Sequence, residues 1–212
     1  MTLTIRDLPT SSYETTWQAM KTAIQAKACH QDQIWLLEHF PVFTQGVTGK
    51  AEHLLKPSAI PVIQSDRGGQ ITYHGPGQLV VYTLLDLKRL QLGVRHFVQQ
   101  LEQTVIACLK AFSIQSRTID GMPGVFVGQR KIGSIGLRVR HGICYHGLAL
   151  NVNMDLTPFS NINPCGYRHI TPCQISDFIS PPSMSAVKAQ FCRDFTQQFG
   201  YTHSSSIAAM ER

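Results

Sequence analysis

The stretch that decides the fold is residues 124–152, with the sequence GVFVGQRKIGSIGLRVRHGICYHGLALNV. It contains three runs of residues that favour strands, which are GVFV, KIGSIGLRVR and HGICYHGLALNV, and glycine-containing turns separate them. Strands joined by such short turns are typical of antiparallel neighbours in a sheet. We therefore predict a sheet of largely antiparallel strands in this half of the chain.

Three amphipathic helices are predicted around this sheet. The first begins at Ser11, where Glu14 three residues later completes a capping box. Its apolar stripe is Tyr13, Trp17, Met20 and Ile24. The second has the strongest helical periodicity in the chain, and its stripe is Val94, Phe97, Val98, Leu101, Val105, Cys108, Leu109 and Phe112. The third follows Pro181 and Pro182 and ends at Gly200, with the inward positions Met184, Val187, Phe191, Phe195 and Phe199.

Further strands are predicted at 33–40, 61–64 and 79–87, and helices and strands follow one another without regular βαβ order. This pattern predicts an α/β domain of the α+β type, with a mixed, largely antiparallel sheet packed by helices. A chain of 212 residues can bury a core of its own. We expect one domain over residues 1–212, with the helix at about 183–199 either inside it or as a peripheral appendage.

Composition and charge exclude several classes of protein. The chain has 19 Lys and Arg against 13 Asp and Glu, a formal charge of +6, but the basic residues are scattered and no RNA-binding motif is present. No apolar run approaches the ~18–20 residues that span a bilayer, and no signal peptide precedes the first helix. The six cysteines form no Cys-x-x-Cys pair. We expect a cytoplasmic protein with free thiols that binds neither nucleic acid nor a membrane.

The segment at 67–78, RGGQITYHGPGQ, has the composition of a binding loop. Its four glycines allow the backbone to approach a ligand closely. Polar side chains lie among them, at Arg67, Thr72, Tyr73, His74 and Gln78. A tight hairpin is the simpler alternative. The segment is neither a P-loop, since no Gly-Lys-Ser/Thr ends it, nor a dinucleotide fingerprint, since its glycine spacing differs.

Two further residues are candidates for chemistry. Lys131 opens a glycine-spaced strand, and a lysine whose pKa is lowered by burial can act as a base. Cys165 lies in a turn between Pro164 and Gly166, where a thiol is accessible as a nucleophile. The simpler alternatives are a solvated edge charge and a turn thiol without a role.

A zinc site is a competing interpretation of the same cysteine. Cys165, His169 and Cys173 follow one another at intervals of four, and two thiols with one imidazole can ligate zinc. Pro172 and the lack of an evident fourth ligand weigh against this interpretation. We therefore predict no metal site.

Taken together, these segments resemble the lipoyl(octanoyl) transferase family, also called octanoyltransferases. RGGQITYHGPGQ is similar to the glycine-rich signature of that family, and residues 124–167 are similar to its second block in order and spacing. EHFPVFTQGVTGKAEHLL, at 38–55, is also similar. The resemblance runs from about Trp35 to Tyr167 and thins beyond it. It implies the fold of the biotin and lipoate protein ligase catalytic domains.

The resemblance also implies a reaction. In it, octanoyl moves from acyl carrier protein to a lysine on the lipoyl domain of a 2-oxoacid dehydrogenase complex or of a glycine-cleavage protein. The acyl-accepting cysteine of the family falls on Cys165. Its paired lysine, which lowers the pKa of the cysteine and acts as general acid and base, falls on Lys131. The substrate-contacting residues fall on Arg67, Gly68, Gly69, Gln70, Ile71, Thr72, Tyr73, His74, Ser134, Ile135, Gly136, Gly147, Leu148 and Ala149.

This chemistry needs no cofactor, because the octanoyl donor is already activated as a thioester on the phosphopantetheine of the carrier. Transfer between two thiols is close to isoenergetic, which makes a cysteine the natural relay. Two alternatives remain open from the residues alone. One is a lipoate or biotin ligase that activates a free acid with ATP, although the Arg-Gly-Arg-rich loop of biotin ligases is absent. The other is a non-catalytic module that binds nucleic acid or an acyl carrier.

Overall fold

The computed structural model describes residues 1–25, 31–163 and 171–208, and all statements below concern these residues. The strands are β1 (Thr2–Asp7), β2 (Asp32–Leu37), β3 (Val42–Gln45), β4 (Val62–Gln64), β5 (Ile71–His74), β6 (Gln78–Asp86), β7 (Arg117–Ile119), β8 (Met122–Val127), β9 (Arg130–Arg140), β10 (Ile143–Asn151) and β11 (His203–Ala208). The helices are α1 (Tyr13–Gln25), α2 (Val94–Ala111) and α3 (Met184–Gln198).

The strands form one large and one small sheet. The large sheet has the order β11-β1-β2-β6-β10-β9-β8-β7, and the small sheet has the order β4-β3-β5. All pairs from β2 to β7 are antiparallel, whereas β1 runs parallel to both β2 and β11. In the small sheet, β3 is parallel to β4 and antiparallel to β5. The predicted fold class, a mixed and largely antiparallel sheet packed by helices, is confirmed.

Strand β6 shows why the large sheet lies at the centre of the molecule. Successive side chains of a strand point to opposite faces, and almost every residue of β6 is buried. Leu79, Val81 and Leu85 join the core that α2 and α3 cover. Val80 and Tyr82 belong to a second core, which α1 covers on the other face. The near-continuous apolar run of this strand reflects burial on both faces.

Helix α3 belongs to the main core. Val187, Phe191 and Phe195 are fully buried in the same cluster as the apolar residues of α2. Gly200 ends this segment with a φ of 68°, the left-handed conformation that glycine adopts readily at a helix end. Among the described residues, α3 therefore packs as part of the main core.

Helix α1 begins two residues later than predicted. Its first turn is capped by Ser12, whose hydroxyl accepts a hydrogen bond from the Thr15 backbone N–H at 3.2 Å. Ser11 instead pairs with His39 as an isolated β-bridge, and its hydroxyl donates to the Pro9 carbonyl at 2.8 Å. A tertiary contact thus overrides the capping-box pattern at Ser11.

Neither α1, α2 nor α3, the helices within the described residues, is both long and apolar enough to cross a membrane.

Candidate active site

A pocket with a cavity volume of about 60 Å³ opens on the α1 face of the large sheet, beside the small sheet. Among its lining residues are many that the sequence singled out as substrate-contacting: Arg67, Gly69, Gln70, Ile71, Thr72, His74, Ser134, Ile135, Gly136, Gly147, Leu148 and Ala149. Four residues that the sequence analysis did not single out complete the lining: Tyr13, Val80, Tyr82 and His146. Segments far apart in sequence therefore converge on one cavity.

Two of the predicted contact residues lie beside the pocket rather than on its wall. The backbone N–H of Gly68 donates to the Leu137 carbonyl at 2.8 Å, which ties the glycine-rich loop to β9. Tyr73 packs in the core of the small sheet, against Phe43 and Phe159. We therefore find these two residues supporting the wall.

The backbones of the paired strands β10 and β6 approach each other closely at Gly147. A Cβ atom at Gly147 would lie 2.0 Å from the Val81 carbonyl oxygen, far inside van der Waals contact. Gly147 pairs with Gly136 of β9 across the sheet. Only glycine allows this close approach of the backbones.

Arg67 holds the glycine-rich loop in shape. Its buried guanidinium donates to the Thr44 hydroxyl from Nε at 3.0 Å and to the Gln70 carbonyl from Nη2 at 2.7 Å. A further bond from Nη1 reaches the Gly68 carbonyl at 2.9 Å. Since several donors are directed at the loop and at β3, Arg67 organises the pocket wall.

Asp66, directly before the glycine-rich segment, is the centre of a polar cluster. Its carboxylate accepts hydrogen bonds from Trp17 Nε1 at 2.8 Å, from Tyr145 Oη at 2.5 Å and from His146 Nε2 at 2.7 Å. Burial alone raises the pKa of this carboxyl, but the bonds from His146, Tyr145 and Trp17 outweigh burial and lower it. Asp66 is therefore an anion that fixes three side chains around the pocket.

His146 is the most constrained of these side chains. It is 1% exposed, and its φ of 61° is rare for a residue other than glycine. Because the carboxylate of Asp66 only accepts, Nε2 carries the proton. Nδ1 is then a buried lone pair without a partner among the described residues. Burial lowers the pKa of His146, against the opposing effect of Asp66.

Two further histidines are buried at the pocket: His74 lies on its lining, and His39 lies behind Tyr82. His39 donates from Nδ1 to the Ser11 carbonyl and accepts at Nε2 from Tyr82 Oη at 2.6 Å. His74 donates from Nδ1 to Gln78 Oε1 at 2.7 Å. Burial lowers the pKa of His39 to about 4 and that of His74 to about 3. Both rings are therefore neutral near pH 7.

Lys131 lies outside the lining of this pocket. It is 5% exposed, and its Nζ donates to the Pro123 carbonyl at 2.7 Å and lies 5.4 Å from the centre of the Phe126 ring. Its backbone N–H donates to the Thr171 carbonyl, and its own carbonyl accepts from the Cys173 N–H, each at 2.9 Å. Lys131 is thus a buried cation held by a backbone carbonyl, and a solvated edge charge is excluded.

Cys165 lies outside the described residues, as does His169. The role of Cys165 as nucleophile therefore remains a prediction, and the zinc alternative is untested. Among the described residues, no group of three His, Cys, Asp or Glu side chains could hold a metal ion.

The cysteines that the structure does describe are poor nucleophiles. Burial raises the pKa of Cys108 and Cys144 to about 12 and that of Cys173 and Cys192 to about 11. Thiols with such values stay protonated near neutral pH and react slowly. The core position predicted for Cys108 on α2 is confirmed, because its side chain is fully buried.

Curated relatives cover nearly the whole chain. Octanoyltransferase from Shewanella amazonensis is 49% identical over 203 residues, which are 95% of this chain and 94% of the relative. Octanoyltransferase from Cellvibrio japonicus is 52% identical over 201 residues, or 94% of each chain. Octanoyltransferase from Coxiella burnetii is 53% identical over 190 residues, which are 89% of this chain and 78% of the relative.

Solved structures share the fold at low sequence identity. A lipoate-protein ligase A bound with ATP superposes with a TM-score of 0.79 at 17% identity, over 100% of this chain and 90% of that one. A bipartite lipoate protein ligase from Thermoplasma acidophilum gives 0.79 at 17% identity, over 100% and 88%. Biotin protein ligase from Aquifex aeolicus is more distant, with 0.53 at 11% identity over 93% and 69%. The predicted likeness to both ligase folds is confirmed.

A family model described as the lipoyl protein ligase A/B catalytic domain matches residues 12–196. That range includes α1, the glycine-rich segment, every lining residue of the pocket and most of α3. The protein therefore belongs to the lipoyl protein ligase A/B catalytic-domain family.

Proposed function

We propose that this protein is an octanoyltransferase of protein lipoylation. It moves octanoyl from acyl carrier protein to the lysine of a lipoyl domain through a thioester on Cys165. The observation that carries the proposal is the identity of about half of all residues with curated octanoyltransferases, along at least 89% of this chain. Acceptors of the expected kind are the lipoyl domains of 2-oxoacid dehydrogenase complexes and the glycine-cleavage protein.

The pocket supports an acyl substrate. The apolar part of its wall consists of Ile71, Val80, Ile135, Leu148 and Ala149. The neutral rings of His74 and His39 add no charge beside it. Burial of a methylene contributes roughly 0.8 kcal/mol. The six methylenes of an octanoyl chain would then contribute about 5 kcal/mol. The depth of the pocket can therefore select the length of the acyl chain.

Lys131 suits the role of acid and base beside Cys165. The chain that follows Cys165 returns to Lys131, because Thr171 and Cys173 pair with its backbone. A buried ammonium beside a thiol stabilises the thiolate and lowers the pKa of that thiol.

The reaction then has two steps. The Cys165 thiolate attacks the thioester carbonyl, and the carrier thiol leaves with a proton from Lys131. The neutral amine of the acceptor lysine next attacks the enzyme thioester and forms an amide. Cys165 leaves as thiolate, and Lys131 takes the proton that the amine releases. No cofactor or metal takes part in either step.

A basic rim beside the pocket supports an acidic protein substrate. Arg138 and Arg140 are exposed on β9, and Arg138 pairs with Tyr145, whose hydroxyl contacts Asp66. Lys21 lies on α1 with its Nζ 3.9 Å from the ring centre of Trp17. Acyl carrier protein and lipoyl domains are typically acidic, so this rim favours both. We further propose a cytoplasmic location, where reducing conditions keep Cys165 free.

The test is incubation of the protein with octanoyl acyl carrier protein, without ATP, followed by intact-protein mass spectrometry. We expect an octanoyl adduct that hydroxylamine removes and that Cys165→Ala abolishes. Cys192→Ala is the matched control, because it removes a partly buried thiol of α3 and should leave the adduct intact. An adduct that persists in Cys165→Ala would contradict the assignment of Cys165 as the nucleophile. Octanoylation of a lipoyl domain only from free octanoate with ATP would favour the ligase alternative.

A further inference from the structure

One peptide unit in strand β8 joins two buried charged side chains. The backbone N–H of Gly124 donates to Glu102 Oε1 at 2.8 Å. The carbonyl of Pro123, at the other end of the same peptide, accepts from Lys131 Nζ at 2.7 Å. A carboxylate and an ammonium thus bind opposite ends of a single amide.

The position of Glu102 on its helix is unusual for a carboxylate. It lies on α2 between residues of the main core, and only 7% of its surface is exposed. A buried carboxylate is costly unless hydrogen bonds satisfy it. Because its bond to Gly124 leads directly to Lys131, this costly group acts on the proposed acid and base.

The peptide needs such an anchor because only glycine accommodates its backbone conformation, and glycine is conformationally free. Gly124 has a φ of 120°, and a Cβ there would lie 2.4 Å from the Gly133 carbonyl oxygen and 2.7 Å from Lys131 Cε. The strand pairing also shifts register at this point, between Val125 and Phe126. A glycine at a register shift does not by itself fix the direction of the Pro123 carbonyl that precedes it.

A hydrogen bond to a carboxylate does two things for the carbonyl at the other end of the peptide. It fixes the plane of the amide, and it polarises the amide so that the carbonyl oxygen becomes a stronger acceptor. Both effects hold Lys131 Nζ at one place.

We propose that Glu102 is a positioning residue for Lys131, acting through the Pro123–Gly124 peptide. This inference rests on the proposed function, in which Lys131 stabilises the thiolate of Cys165. In this proposal Glu102 acts only on Lys131, through the peptide that both side chains bind. Its effect is to keep the ammonium where the thiol needs it.

The variants Glu102→Ala and Glu102→Gln separate positioning from mere stability. The alanine removes the acceptor, whereas Oε1 of the glutamine can still accept from the Gly124 N–H. Gln103→Ala is the matched control, since it changes the exposed neighbour on the same helix. All variants are compared at a temperature at which circular dichroism shows them folded.

The first measurement is the pH profile of Cys165 alkylation by iodoacetamide. We expect Glu102→Ala to move its midpoint to higher pH by about 0.5 unit or more, because the ammonium no longer stabilises the thiolate. Octanoyl-enzyme formation should slow by roughly tenfold. Glu102→Gln and Gln103→Ala should keep the wild-type profile. A wild-type profile in folded Glu102→Ala, or a glutamine variant as impaired as the alanine variant, would overturn the inference.

The second measurement does not depend on Cys165. In protein labelled with 13C-lysine, the two Hε protons of a fixed Lys131 should give separate signals, assigned by their loss in Lys131→Arg. Glu102→Ala should merge them, and Glu102→Gln should keep them apart. Merged signals in the wild type, or separate signals in Glu102→Ala, would overturn the inference. Absence of an octanoyl adduct in the wild type would instead contradict the proposed function.

Discussion

Asp66 and Lys131 are both charged, and the protein holds them in opposite ways. The Asp66 side chain is 31% exposed, whereas Lys131 is buried. Asp66 receives hydrogen bonds from three side chains, which come from α1 and β10. Lys131 donates to a backbone carbonyl, whose direction depends on the glycine that follows it. The carboxylate is fixed by several side-chain donors, whereas the ammonium is fixed by the shape of the main chain.

This difference has consequences for sensitivity to mutation. Loss of one donor around Asp66 leaves others in place, so we expect graded effects there. A change in the Pro123–Gly124 peptide displaces the carbonyl that accepts from Lys131 Nζ, so we expect an abrupt effect. Side-chain clusters tolerate single changes better than a backbone position that only glycine can occupy.

The largest effect is expected for Gly124→Ala. The added methyl group would collide with the Gly133 carbonyl and with the Lys131 side chain. We expect the free energy of unfolding to fall by about 3 kcal/mol or more and the octanoyl adduct to be lost. Gly121→Ala is the matched control, because it shares a positive φ but has open space around the new Cβ. It should cost only about 1 kcal/mol in urea denaturation. Equal losses in the two variants would contradict the steric argument.

A smaller effect is expected when the Asp66 cluster is changed. Asp66→Asn should lower the free energy of unfolding at pH 7 by about 2 kcal/mol, because it weakens bonds to a charged acceptor. Tyr145→Phe removes one donor and should cost about 1 kcal/mol. The lowered pKa of Asp66 means that its contribution is present above pH 4 and is lost as the pH falls further. Urea denaturation at pH 7 and pH 3 measures both points. A larger loss of stability in Tyr145→Phe than in Asp66→Asn would contradict the graded response expected of this cluster.

The smallest effect is a pH dependence at His74. Its pKa of about 3 lies below the ordinary value of 6.5, so the unfolded chain binds this proton more readily than the folded protein. Stability is therefore present above pH 6.5 and is lost as the pH falls toward the folded pKa. His74→Asn should remove about 1 kcal/mol of the loss between pH 6.5 and 5.5. An unchanged slope in His74→Asn would exclude His74 as the source.

The strands and helices that carry strong periodicity could be predicted from the sequence. The alternating and apolar patterns of β6, α2 and α3 report directly on which faces are buried, and each of these elements is present. The strands β1, β3, β5, β7 and β11 were not predicted. They are short or polar, and pairing with neighbours rather than their own residues makes them strands.

The site could be predicted only where residues occur in a recognisable segment. The glycine-rich loop and the Ser134–Gly136 and Gly147–Ala149 positions reached the pocket in this way. Tyr13, Tyr82 and His146 were missed, because each lies on an apolar stripe or strand where a core role is the simpler interpretation. The sequence did contain one further indication of the site, since the charged residue Asp66 directly precedes the glycine-rich loop. Glu102 offered none, since its role depends on a peptide that is 22 residues away in sequence.

Because β1 lies between β2 and β11, the large sheet cannot be completed until β11 has been synthesised. Thr2 lies opposite His203 in the parallel pairing of β1 with β11. During synthesis, one edge of β1 stays unpaired until about 200 further residues have been translated. Contacts of such long sequence separation form late and slow folding. A nascent chain therefore exposes an unpaired strand edge for most of its synthesis, and an edge of this kind invites aggregation. We infer that yield of this protein is more sensitive to chaperone supply than its final stability suggests.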